Sequence, residues 1–131
     1  MKIFGGGGNI TKGKRGEDIA ADYLRKKGYR ILNRNYTTEL GEIDLVITDN
    51  SALIFVEVKC RAGDGYGTPA EAVTYHKRGK INRVAAQYIK KFMLSGTDVR
   101  FDVVEIYLDE KRTDFMKINH IENAFDSYLR Y

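Results

Sequence analysis

At 131 residues, with 43% hydrophobic and 31% charged content, the chain is read as one globular domain large enough to bury a core. No apolar run approaches the ~18 residues that span a bilayer, and the single cysteine, Cys60, excludes an internal disulfide, so a soluble cytoplasmic protein is expected. The net charge of +4 hides a pattern: residues 1–40 carry nine Lys/Arg against four Asp/Glu, residues 41–60 one against four, residues 61–97 seven against two, and residues 98–131 five against eight. An acidic island between basic blocks suits a polyanion held around a cation, since phosphate contacts supply most nucleic-acid affinity. It equally describes a surface whose charge fluctuates along the chain.

Residues 1–12, with four glycines at Gly5 to Gly8, read as a flexible lead-in with no secretory apolar segment, and residues 13–131 as a single domain. From Arg15 the pattern is helical: Ile19, Ala20, Tyr23 and Leu24 share a face, and Gly28 marks the stop. "YRILNRNYTT" predicts a strand, and Gly41–Thr48 and Ala52–Cys60 predict two more. "RAGDGYGTP" reads as a loop and "AEAV" as a turn of helix. His76–Leu94 predicts the longest helix, with Ile81, Val84, Ala85, Tyr88 and Phe92 on its inner face. "DVRFDVVEIYL" is a fourth strand, followed by a short candidate strand at Phe115–Ile118 and a helical tail. Short links make the first three strands antiparallel, and the long helix carries the chain to the fourth. The expected fold is α/β: a central mixed β-sheet flanked by helices.

The second and third strands contain acids where a core strand should have none. A tight turn about Asn50–Ser51 pairs residues whose numbers sum to 101: Ile47 with Ile54, Leu45 with Val56, and Ile43 with Val58, one wholly apolar face. On the other face Asp44 meets Glu57, and Glu42 meets Lys59. Opposed carboxylates destabilise a sheet unless a cation lies between them. Asp44 and Glu57 with Mg²⁺ or Mn²⁺, solvent and a substrate phosphate make a complete set for phosphodiester chemistry. Lys59 points to the same side as Glu57, where it can stabilise a phosphate oxygen or orient water; it can also simply pair with Glu42.

These motifs carry a resemblance. "KGKRGEDIAADYL", "GEIDLV", "FVEVKCR", "YGTPAEAVTYHKRGKINRVAAQYI" and "RFDVVEI" resemble the YraN family of bacterial nuclease-like proteins, over residues 12 to 108. That family is similar to archaeal Holliday-junction resolvases within the PD-(D/E)XK nuclease superfamily. The resemblance implies a restriction-endonuclease-like core with order α-β-β-β-α-β and Mg²⁺ or Mn²⁺ as cofactor. It implies metal-binding roles for Asp44 and Glu57, a catalytic role for Lys59, and a place for Glu17 near the metal. Ile43 stands where the superfamily's name has proline. Resolvase relatives act as dimers, so a homodimer is one arrangement open to this chain.

Glu17 opens the first helix, where the helix dipole favours an acid in any case. Lys77, Arg78, Lys80 and Arg83 lie in a stretch with no acid between His76 and Thr97, a bias that favours phosphate contacts. Arg61 leaves the strand of Glu57 and Lys59 and could lip a substrate groove. Gln87 lies off the apolar stripe of the long helix, solvated or turned to the site. Asp102 supports the site or pairs with Arg100. The function expected is a metal-dependent DNA endonuclease, with branched or structured DNA as a candidate substrate. The alternative is a nucleic-acid-binding module that keeps the fold without turnover.

Overall fold

Alternating apolar runs and two helical periodicities build a five-stranded sheet with one helix against each face. The computed structural model describes residues 12–62, 74–108 and 116–126; the side chains of 12–15, 61–62, 108 and 116 lie outside that description. In chain order the elements are α1 (Lys12–Lys26), β1 (Arg30–Thr38), β2 (Gly41–Thr48), β3 (Ala52–Ala62), α2 (Tyr75–Lys91), β4 (Asp98–Leu108) and β5 (Met116–Ile121). The order through β4 is the α-β-β-β-α-β that the resemblance implied, and β5 extends the strand expected at Phe115–Ile118. The expected lead-in, the glycine-rich loop and the "AEAV" helix fall wholly or mostly outside the described residues. Residues 122–126 show no helix.

The strands lie in sequence order. β1–β2, β2–β3 and β4–β5 are antiparallel, whereas β3 and β4 are parallel. A parallel pair cannot be joined by a hairpin, so the crossover through α2 follows from the pairing. α1 covers one face with Ala20, Ala21 and Leu24, against Leu45, Ile47, Ile54, Val56, Val104 and Ile106. It ends as Gly28 takes φ 100°, with Gly28 N–H bonded to the Arg25 carbonyl and Tyr29 N–H to that of Leu24. α2 covers the opposite face with Ile81, Val84, Ala85, Tyr88 and Ile89, against Val46, Leu53, Phe55, Phe101 and Val103. Phe92, expected on that face, is 43% exposed because the helix stops at Lys91.

The β2–β3 turn is tied by the Asp49 carboxylate, which accepts from the N–H groups of Ser51 (2.7 Å) and Ala52 (2.9 Å). From there the ladder runs Thr48↔Leu53, Ile47↔Ile54, Val46↔Phe55, Leu45↔Val56, in the expected register, and goes no further. Val58 N–H bonds instead to Asp44 Oδ2, at 2.8 Å. The expected pairs Ile43/Val58, Asp44/Glu57 and Glu42/Lys59 therefore do not form. Ile43 also leaves the face of Leu45 and joins the α2-side core. The partner strand is irregular at the same level: Asn35 takes φ 51° between Arg34, opposite Leu45, and Tyr36, opposite Ile43. β3 stays paired with β4 as far as Ala62, so the parting of β2 from β3 opens a wedge in an otherwise continuous sheet.

Candidate functional site

That wedge is a cleft of about 600 Å³, lined among others by Glu17, Glu42, Asp44, Glu57, Lys77 and Lys80. Each arrives from a different local cause. Asp44 sits where β2 loses its partner, so its carboxylate replaces a main-chain acceptor for Val58. Glu57 alternates with Phe55 toward α2 and is almost wholly buried, its side chain 5% exposed. Glu17 reaches the cleft from α1, which approaches β3 closely at Gly16: a Cβ there would stand 3.2 Å from the Cys60 Cβ. Lys77 comes from the first turn of α2, which is capped by Thr74 Oγ1 accepting from Lys77 N–H.

The electrostatics of the cleft are unbalanced. Burial, reinforced by the Asp44 charge, pushes the Glu57 carboxyl up to about 7, against the pull of Lys77 and Lys59. Burial also raises Asp44, with Glu42 adding to it and the Val58 amide opposing. Glu17 is raised by burial and by Asp44, opposed by a hydrogen bond from Asn35 and by Arg34. Among the described residues Glu57 Oε2 and Glu17 Oε1 are buried with no hydrogen-bond donor, although Arg34 Nη2 lies 3.9 Å from Glu17 Oε1. A buried carboxylate oxygen without a donor costs free energy that only a proton or a cation can offset. Lys77 Nζ stands 3.0 Å from Glu57 Oε1 and within hydrogen-bonding reach of Lys59. Burial and the neighbouring Lys77 lower the Lys59 ammonium's pKa.

Asp44 and Glu57 are the pair that could hold a divalent ion. Among the described residues no three acidic, histidine or cysteine side chains converge on one point. Two carboxylates with solvent and substrate oxygens filling the remaining positions is a Mg²⁺-like arrangement, and the orphaned oxygens fit it.

The other expected residues separate into two groups. Lys80 lines the cleft, and Glu42 lines it while accepting from Thr37 Oγ1 at 3.2 Å. Arg61 continues β3 opposite Tyr107, its side chain outside the description. Arg78 lies over the Phe125 ring, 5.6 Å from its centre, and Arg83 is exposed one turn beyond the cleft-lining Lys80. Gln87 is not brought to the cleft: ten residues past Lys77 it is ~15 Å further along the helix. There its amide donates to Glu39 in a separate hollow. Sequence reading missed Lys77's contact with Glu57, because six basic residues share that stretch and charge alone does not rank them. It also missed Glu105, fully buried beside Lys59 in register and accepting from the Tyr107 hydroxyl.

Residues 16–106 match the Uncharacterised protein family UPF0102. The chain belongs to that family. Its relatives include UPF0102 proteins of Alkaliphilus oremlandii, 50% identical over 119 residues (89% of this chain, 99% of the relative), and of Clostridioides difficile, 49% identical over 117 residues (89% and 98%). Another, from Caldanaerobacter subterraneus subsp. tengcongensis, is 45% identical over 115 residues (88% and 94%). Among solved structures, Pyrococcus furiosus SfsA in complex with Ca²⁺ aligns with 16% identity and a TM-score of 0.36, over 85% of this chain and 62% of that one. Glu17, Asp44, Glu57, Lys59 and Lys77 all fall inside the UPF0102 match, so the cleft is part of the family's shared region. No helix among the described residues is long and apolar enough to cross a membrane.

Proposed function

We propose that this UPF0102 protein is a metal-dependent endonuclease that hydrolyses DNA phosphodiesters, with branched or structured DNA as its preferred substrate. The observation that carries the reading is the pair of donorless buried oxygens, on Glu17 and Glu57, beside Asp44 where β2 and β3 part. Asp44 and Glu57 would hold Mg²⁺ or Mn²⁺. When bound, the ion supplies a Lewis acid against the phosphodiester oxygens. Lys59, its pKa lowered, positions water or takes its proton for in-line attack. Glu17 stands close enough to Asp44 to feel its charge and adds acidity to the cleft wall. Lys80 and the N-terminal end of α2, whose first turn has no acid, attract the phosphate backbone. Recognition is of backbone and shape, since no base-reading element stands out.

Lys77 favours a second reading, a binding module without turnover, because its ammonium already partners Glu57. Cleavage of a labelled four-way junction beside matched duplex and single strand, with Mg²⁺, Mn²⁺ or EDTA, separates the two. Even outer partners of metal ligands are worth about 10–100-fold, so Asp44→Ala should lose more than about 100-fold in metal-dependent cutting while remaining folded. Binding without cutting by either protein would favour the module.

A further inference from the structure

Lys77 occupies an unusual position. Its main chain is fixed by the Thr74 cap, yet its side chain is 40% exposed and reaches inward to a glutamate that is 5% exposed. Four rotatable side-chain bonds separate the anchored backbone from the ammonium, so Nζ can leave Glu57 without moving α2. Glu57 cannot follow, being held in β3 where that strand is paired with β4, opposite Val103. Glu57 Oε1 takes Lys77, and Oε2 has no donor among the described residues. A divalent ion at Asp44 and Glu57 would take the same carboxylate, and an ammonium 3.0 Å from its Oε1 repels it.

Resting on the metal-site reading above, we propose that Lys77 is an exchangeable counter-cation: it neutralises Glu57 when the divalent ion is absent and must be displaced for that ion to load. Lys77 is then more than a phosphate contact on a basic helix. It sets the concentration threshold at which the cleft takes up metal. Linkage between competing ligands of this kind spans about 5–150-fold.

The test is Mn²⁺ uptake by isothermal titration calorimetry at pH 8, on the full chain, for wild type, Lys77→Met, Lys77→Arg and Asp44→Asn, each checked for folding by circular dichroism. Lys77→Met should bind Mn²⁺ about tenfold more tightly than wild type, within the range expected of such linkage. Lys77→Arg, which keeps the charge, should fall nearer wild type than Lys77→Met does. Uptake by wild type that is lost in Asp44→Asn but no tighter in Lys77→Met would overturn the exchange and leave the metal site standing. Absence of uptake by every protein would overturn the metal site and the exchange together.

Discussion

Two buried acids in this sheet have opposite surroundings. Asp102, fully buried on β4, accepts a fork from Arg100 (2.9 Å from both Nε and Nη2), a bond from His120 Nε2 (2.8 Å) and one from Asn123 N–H (2.9 Å). Burial alone would raise its pKa, but His120, Arg100 and Asn123 outweigh it and hold the carboxyl below its usual range. Glu57, also buried, on the neighbouring strand, has Lys77 in contact, Lys59 and a second acid nearby, and one oxygen without a donor among the described residues. Both are carboxylates in core strands, so burial does not distinguish them. Satisfaction does: the first is a finished structural network, the second leaves a buried carboxylate oxygen without a donor among the described residues.

The largest expected effect lies on the finished side. Asp102→Ala leaves Arg100 with only the exposed Glu122 (3.4 Å) as counter-charge and the His120 and Asn123 donors unpaired, so stability should fall by about 3–5 kcal/mol in urea denaturation. Asp44→Asn, which exchanges one carboxylate oxygen bonded to Val58 N–H for an amide, should cost no more than about 1 kcal/mol. Equal losses from the two would mean that the cleft acids are as structural as Asp102.

A smaller effect of opposite sign should come from Glu57. A carboxyl with a raised folded pKa binds its proton more tightly folded than unfolded, so stability declines as pH rises from the ordinary value of 4.5 through about 7. Glu57→Gln removes the ionisation and should stabilise the protein by about 1–3 kcal/mol at pH 8, with little change at pH 5. Asp102 gives the reverse slope: its stabilisation is present above the ordinary aspartate pKa and is lost as pH falls through its lowered one. Urea midpoints of wild type, Glu57→Gln and Asp102→Ala, taken from pH 8 down to below the ordinary aspartate value of 3.8, measure this. A Glu57→Gln protein weaker than wild type at pH 8 would show that the Lys77 pair outweighs burial.

These contrasts mark where sequence pattern stops being informative. Hydrophobic alternation and the Asn50–Ser51 turn place β2 against β3 correctly from Thr48↔Leu53 to Leu45↔Val56, because register follows from the turn. Pattern carries no sign that the ladder ends there, since Asp44 ends it by offering a side-chain oxygen to Val58. Nor does it show Ile43 changing faces, at the level where Asn35 of the adjacent strand is left-handed. β5 is under-read for a related reason: Asn119 and His120 look like loop, yet His120 is buried as a strand residue through Asp102. The acids of the cleft are legible as misfits in apolar strands. Their satisfaction is tertiary, so only the structure separates Asp102 from Glu57.

The smallest effect tests how each acid is held. Asp102 and its partners draw on strands β4 and β5 and the turn after them, so opening that network disrupts the sheet. Among the described residues, the cation bonded to Glu57 comes from the first turn of a helix, where fraying is cheap and Thr74 supplies the side-chain cap. Thr74→Ala should lower stability by about 1 kcal/mol, and Thr74→Ser should recover most of it. Because Lys77 N–H loses its acceptor, its amide exchange should speed up several-fold while amides of β4 beside Asp102 stay slow. Faster exchange in both places would mean that α2's first turn and the Asp102 network open as one unit. Faster exchange at Lys77 alone would mean that the lysine beside Glu57 can be released with the sheet intact.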